Sequence, residues 1–160
     1  NGYSLRRNIL QEMGSRLKLY GYVYDGYAAH INTLQSYYDR SMELLDTSVR
    51  QALFCPQRPV YGKESDSPSG YIDPDGGCVN SLIADGCDIQ GSVKNCILFR
   101  NVRIERGANV ENCILFKDTV VKKGASLRGI ITDKYVTISE NVTLTGHERY
   151  PMVVAKGATV

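Results

Sequence analysis

The side chains best suited to chemistry in this 160-residue chain are its clustered cations. Arg6, Arg7, Arg16 and Lys18 fall near the amino end; Arg103, Arg106, Lys122 and Lys123 fall in the second half. Gathered guanidinium and ammonium groups bind phosphate-bearing anions, arginine through paired N–H donors and lysine as a point charge. Arg106 and Lys123 lie 17 residues apart, as do Glu105 and Lys122. The candidate anion contacts are therefore Arg6, Arg7, Arg106 and Lys123, and the alternative is a solvated basic face. Five cysteines (Cys55, Cys78, Cys87, Cys96 and Cys113) form an odd set without zinc-type CxxC spacing, which points to reduced thiols. No catalytic group and no metal-ligand set is assigned. His147 reads as a turn residue.

The elements that position these groups come from a repeat. Asn95-Cys96-Ile97-Leu98-Phe99 returns as Asn112-Cys113-Ile114-Leu115-Phe116, 17 residues later, and a looser copy spans residues 129–145. Apolar positions superpose as Ile104, Val121 and Ile138; as Ala108, Ala125 and Val142; and as Val110, Leu127 and Leu144. A fixed period of this size marks a solenoid whose repeats bury their apolar faces only by stacking. Aliphatics recurring about every six positions suit short strands, three to a coil, and no stripe of period 3.6 persists. The expected fold is mainly β: a parallel β-helix of 17-residue coils. Cys96 and Cys113 hold equivalent places about 4.8 Å apart. They read as small interior fillers rather than a redox pair or metal site. Asn80-Ser81-Leu82-Ile83 opens an irregular first coil, 15 residues before Asn95, and Met152 to Ala155 closes the prism after a turn at 146–151.

Residues 1–54 differ in kind. Ser4 caps a short helix to about Met13, with Leu5, Ile9, Leu10 and Met13 on one buried face. Leu17 to Tyr24 alternates as a strand would. A second helix is predicted over Thr33–Leu45, with Leu34, Tyr37, Tyr38, Met42 and Leu45 facing inward, and a shorter one over Ser48–Phe54. The expected divisions are 1–54, a small α+β segment; 55–78, a Pro- and Gly-rich linker; and 79–160, the β-helix.

Composition excludes other classes. A net charge of +2 with 22% charged residues argues against disorder and against an electrostatically driven nucleic-acid binder. No apolar run approaches a membrane span and no signal-peptide pattern opens the chain, so a cytoplasmic protein without a membrane partner is expected. The first residues read as the middle of a domain.

Helices, a proline-rich crossing and hexapeptide coils, in this order, resemble the carboxy-terminal part of sugar-nucleotide pyrophosphorylases. Bacterial glucose-1-phosphate adenylyltransferase is the nearest in pattern. The stretches that carry it are Gly26-Tyr27 through Ser36-Tyr37-Tyr38 to Ser41-Met42-Glu43-Leu44-Leu45, then Arg58-Pro59-Val60-Tyr61, then the Asn-Ser/Cys-Ile-Leu coils. The resemblance implies a left-handed β-helix, preceded by the tail of a nucleotidyltransferase-like domain. Catalytic members read Gly-Tyr-Trp-x-Asp-Ile/Val-Gly-Thr-Ile-x-Ser-Tyr in the first stretch, and that aspartate helps bind magnesium. Here the register reads Gly26-Tyr27-Ala28-Ala29-His30-Ile31-Asn32-Thr33-Leu34-Gln35-Ser36-Tyr37. Ala28, His30 and Asn32 stand at the Trp, metal-Asp and Gly positions. Imidazole is a poor substitute for a hard oxygen ligand to magnesium.

That pattern is similar to the non-catalytic, regulatory subunit of the bacterial enzyme, which acts in glycogen biosynthesis beside a catalytic subunit. The resemblance implies that catalytic partner, a homo- or hetero-oligomer formed through the β-helix, and a sugar-phosphate or nucleotide effector. No cofactor is expected in these residues, although catalytic relatives use magnesium. No Walker- or Rossmann-type glycine motif is present, so this stretch by itself transfers no nucleotidyl group. Three alternatives remain: the tail of an active pyrophosphorylase, a hexapeptide acyltransferase and a structural scaffold. The acyltransferase reading lacks its general base, because no histidine occurs between Val79 and Thr145.

Overall fold

Stacking of the 17-residue repeat produces three parallel sheets of five strands each, the faces of a β-solenoid. The computed structural model describes residues 3–62, 66–147 and 149–160. Coil by coil, the strands are β1 (Tyr71–Ile72), β2 (Gly77–Val79) and β3 (Leu82–Ile83), then β4 (Asp88–Ile89), β5 (Ser92–Lys94) and β6 (Ile97–Leu98). Next come β7 (Arg103–Ile104), β8 (Asn109–Glu111) and β9 (Ile114–Leu115), followed by β10 (Val120–Val121), β11 (Ser126–Arg128) and β12 (Ile130–Thr132). The last coil holds β13 (Thr137–Ile138), β14 (Thr143–Thr145) and β15 (Met152–Val154). Every third strand joins the same sheet.

Register follows the repeat. Val121 pairs with both Ile104 and Ile138, and Leu127 with both Val110 and Leu144, so the superposed aliphatics meet rung by rung. Ile89, Ile104, Val121 and Ile138 fill one inner face, and Val93, Val110 and Leu127 a second. Each such side chain contributes about 1.5–3 kcal/mol only when the next coil covers it. Cys96 and Cys113 are fully buried among them as free thiols, the expected interior fillers. The Cys96 N–H donates to Ser81 Oγ at 3.0 Å, and the Cys113 N–H to Cys96 Sγ at 3.4 Å. Small polarizable atoms thus satisfy corner amides inside an apolar core.

Corners are turned by left-handed residues. Asn80, Asn95 and Asn112 have φ of 43°, 51° and 53°, and Asn101, Asp118 and Tyr135 have 59°, 59° and 62°. Asn and Asp tolerate this region better than other side chains, which explains why the repeat opens on asparagine. One corner is short. Leu82 pairs with Ile97 and Asp88 with Arg103, an offset of 15, whereas Arg103 pairs with Val120 at 17. The two residues are lost between β4 and β5, where Gln90-Gly91 replaces the four-residue corner Glu105-Arg106-Gly107-Ala108. Gly91 sits so tightly beneath that corner that a methyl group would lie 2.5 Å from Ala108 O and 2.7 Å from Glu105 O.

Before the coils, Thr33 caps α1 (Leu34–Met42) through a reciprocal bond pair with Ser36. A 3₁₀ turn (Glu43–Leu45) follows, and Asp46 caps α2 (Thr47–Leu53). Leu34, Tyr37, Tyr38, Met42 and Leu45, the five residues expected to face inward, pack on Ile97, Ile114 and Ile131 of the outer surface of one sheet. Tyr38 donates its hydroxyl hydrogen to Asn112 O at 2.7 Å, tying helix to coil. Burial pushes its phenol up to about 12.

Three expectations need correction. Leu17–Tyr24 forms no strand: Tyr20, Tyr22 and Val23 are 89%, 89% and 81% exposed, and a strand needs a neighbouring edge that the described residues do not supply. Leu5–Gln11 is a π-helical turn capped by Ser4, but Leu5, Ile9, Leu10 and Met13 are exposed because none of the described residues covers them. Strand β1 pairs with β4, and β2, which starts at Gly77, pairs with β5, so the solenoid ladders begin at Tyr71, ahead of residue 79. Residues 63–65 of that expected linker, and Glu148 of the expected turn, lie outside the described residues. Around Glu148, His147 and Tyr150 exchange backbone hydrogen bonds, and β15 supplies the expected last strand.

Candidate functional site

The short corner leaves a notch in the solenoid wall. Its lining is Asp88, Gln90, Arg103, Glu105, Arg106 and Lys123, around a cavity of about 280 Å³. Arg106 and Lys123 thus meet in one place, as their repeat spacing required. Both arginines have acidic company. Arg106 lies 3.5 Å from the Asp73 carboxylate and Arg103 3.8 Å from that of Asp88. Glu105 accepts the Lys123 backbone N–H at 3.0 Å, so its carboxylate serves the next coil's corner. The Lys123 ammonium has no ion-pair partner among the described residues. Arg6 and Arg7 lie apart, on the exposed Leu5–Gln11 turn.

A second basic cluster escaped the sequence reading. Arg100, Lys117 and Lys134 repeat at the same 17-residue spacing, and that spacing was the signal that could have found them. With Ala84 and Phe99 they line a cavity of about 430 Å³. Phe99 and Phe116 meet edge to face at 4.7 Å between ring centroids, giving this edge an apolar floor beside its cations. Lys117 pairs with Asp118 at 3.3 Å, and among the described residues no carboxylate lines the cavity itself. Three cations about 4.8 Å apart on successive rungs suit an extended polyanion better than the charge-balanced notch does.

Residues 28–32, in neither helix nor strand, lead into the cap of α1. Asn32 donates its backbone N–H to Ser36 Oγ at 3.0 Å, and its amide oxygen accepts from the same hydroxyl at 3.3 Å. Asn32 therefore helps start the helix. Ala28 and His30 are exposed. Nearby, Tyr27 donates to Glu43 at 2.8 Å and Arg40 pairs with the same carboxylate, which together hold it below its ordinary range. Ala28, His30 and Asn32 supply no carboxylate oxygen, so they do not fit the hard-ligand octahedron of magnesium. Among the described residues, no group of three His, Cys, Asp or Glu side chains is placed to hold a metal.

Cys113, in the core, is raised well above the usual thiol range by burial, which removes it from nucleophilic chemistry at neutral pH. No helix is long and apolar enough to cross a membrane, among the described residues.

Three parallel sheets, left-handed corners and a 17-residue period define a hexapeptide-repeat solenoid. The chain belongs to the GlmU-like, C-terminal hexapeptide family, whose model matches residues 70–150. It is 40% identical over 106 residues to the glycogen biosynthesis protein GlgD of Bacillus subtilis, covering 66% of this chain and 31% of that protein. Similarity to GlgD of Geobacillus stearothermophilus is 47% over 68 residues, 42% of this chain and 20% of that protein. The glucose-1-phosphate adenylyltransferase of Acetivibrio thermocellus is 34% identical over 90 residues, 56% of this chain and 21% of the enzyme. The chain thus matches a third or less of the length of these relatives.

Proposed function

We propose that this chain is the solenoid portion of a regulatory subunit of glucose-1-phosphate adenylyltransferase, acting in glycogen biosynthesis beside a catalytic partner. The observation that carries the reading is the donor set at residues 28–32. Where the catalytic pattern has a tryptophan and a metal-binding aspartate, this chain has Ala28 and His30, while the residues that follow form a capped helix packed on the coils. The scaffold is preserved and the metal chemistry is not. Similarity to two GlgD proteins at 40% and 47%, above the 34% to an adenylyltransferase, supports the same side.

In this reading, residues 1–54 end a nucleotidyltransferase-like domain and the solenoid is the assembly surface. Its rigid faces pack against the catalytic subunit and relay effector binding. An anionic sugar phosphate or nucleotide binds at cations on the coils: the Arg106–Lys123 notch, or the Arg100–Lys117–Lys134 ladder and its cavity. Arg6 and Arg7 would join only if another part of the parent protein brings them near.

The test is a steady-state comparison of the catalytic partner alone and mixed with the intact protein. The mixture should differ in rate or in effector response. Identical rates and identical effector curves would remove the regulatory role.

A further inference from the structure

One column of the solenoid stops short. Asn80 Nδ2 donates to Asn95 Oδ1 at 2.8 Å, and Asn95 Nδ2 donates to Asn112 Oδ1 at 3.2 Å. The amides all point the same way, so each bond polarises the next and the N–H end of the chain of dipoles emerges at Asn112. The next left-handed corner is Gly129, with φ of 63° and no side chain to receive that donor. A cavity of about 50 Å³ lies there, lined by Tyr38, Asn112, Arg128, Gly129, Gly146 and His147.

Three of the lining residues carry side-chain N–H donors. Asn112 Nδ2 is the free end of the ladder. Among the described residues, Arg128 has only a long 3.9 Å contact from Nε to Glu111, which Lys94 shares at 3.5 Å. His147 Nδ1 accepts the Arg149 backbone N–H at 3.2 Å, which leaves the ring hydrogen on Nε2. The Tyr38 hydroxyl hydrogen is already committed to Asn112 O. Among the described residues, no carboxylate lines the cavity. A liquid water occupies about 30 Å³, so the space is nearer in size to one oxyanion group than to a larger ligand.

We infer that the vacant rung is an oxyanion subsite that takes a phosphate group, free or at the end of a larger metabolite. Asn112, Arg128 and His147 supply the hydrogen bonds, and Arg128 supplies the charge. The site is separate from the Arg106–Lys123 notch and does not depend on the regulatory reading.

The decisive substitution is Gly129→Asn. Asparagine accepts this backbone region, and a Cβ at Gly129 would lie no closer than 3.5 Å to Gly146 O, so the side chain adds a fourth rung and fills the cavity. Melting of the intact protein is followed against inorganic phosphate at constant ionic strength, with chloride and acetate as matched salts. The native protein should show a saturable, phosphate-specific rise in Tm. Gly129→Asn should fold normally and lose that rise. Arg128→Gln should weaken it about tenfold or more, as loss of a charge-assisted bond implies. The Arg106→Ala, Lys123→Ala double variant should keep it. Arg128→Gln carries the test if Gly129→Asn does not fold. Three outcomes overturn the assignment: no saturable effect, an effect reproduced by acetate or chloride, or one unchanged in both Gly129→Asn and Arg128→Gln.

Discussion

Tyr135 occupies a backbone conformation that its neighbours in the column fill with better-suited residues, so replacing it should stabilise the protein. Its φ is 62°, and the equivalent corner positions are Gly86, Asn101 and Asp118. A left-handed residue other than Gly, Asn or Asp costs roughly 1–2 kcal/mol, most of which Tyr135→Asn recovers. Asn101 Nδ2 donates to Asp118 Oδ1 at 2.9 Å, and an asparagine amide one coil on can reach the same carboxylate. A new bond of that kind adds about 0.5–1.5 kcal/mol. Against this stands the Lys156 ammonium, 5.8 Å from the centre of the half-exposed Tyr135 ring. An exposed cation–π contact contributes about 0.5–1 kcal/mol. The balance favours the variant by about 1 kcal/mol, a rise of roughly 2–4 °C in Tm for a protein of this size. Calorimetry on the intact protein reads it, with Asn101→Val as the opposite control, expected to lower Tm. A lower Tm for Tyr135→Asn would refute the corner-strain argument.

Other perturbations test the packing. Ile114 is fully buried between sheet and helix, so Ile114→Ala should cost about 2–5 kcal/mol in denaturant unfolding and loosen α1. An undiminished midpoint would mean that the helix does not rest on the coils. Tyr38, with its pKa raised to about 12, is neutral in the folded state where an unfolded tyrosine would ionise. Its stability contribution is full below about pH 10 and is lost as pH rises from there through 12. Tyr38→Phe should therefore flatten the alkaline fall in stability, and an unchanged pH profile would contradict the burial argument. Cys96 and Cys113 should resist thiol reagents in the native protein while Cys55 reacts, and all five cysteines should react after unfolding. Rapid native labelling of Cys113 would show that the core opens.

Much of the architecture was legible because solenoid physics is written in sequence spacing. Ile104, Val121 and Ile138 had to meet once their period was seen, and the five inward residues of the Thr33–Leu45 helix followed from their stripe. Leu17–Tyr24 misled because alternation describes a strand's faces without supplying the edge it must pair with. Strand β1 was hidden because two residues, Tyr71-Ile72, are too short to show a period among prolines and glycines. The notch at Arg106 and Lys123 depended on two residues missing from a corner, visible only as the 15-residue step before Asn95. The Arg100–Lys117–Lys134 ladder was as regular as the aliphatic columns, but its rungs were read one by one.

In the proposed reading, the parent protein keeps the scaffold of an adenylyltransferase and lacks its metal chemistry at His30. The most direct measurement is ADP-glucose formation by the intact protein alone, from ATP and glucose 1-phosphate with magnesium. The account predicts no product above the enzyme-free blank. Turnover at the level of a catalytic relative would contradict it and make this chain the tail of a working enzyme.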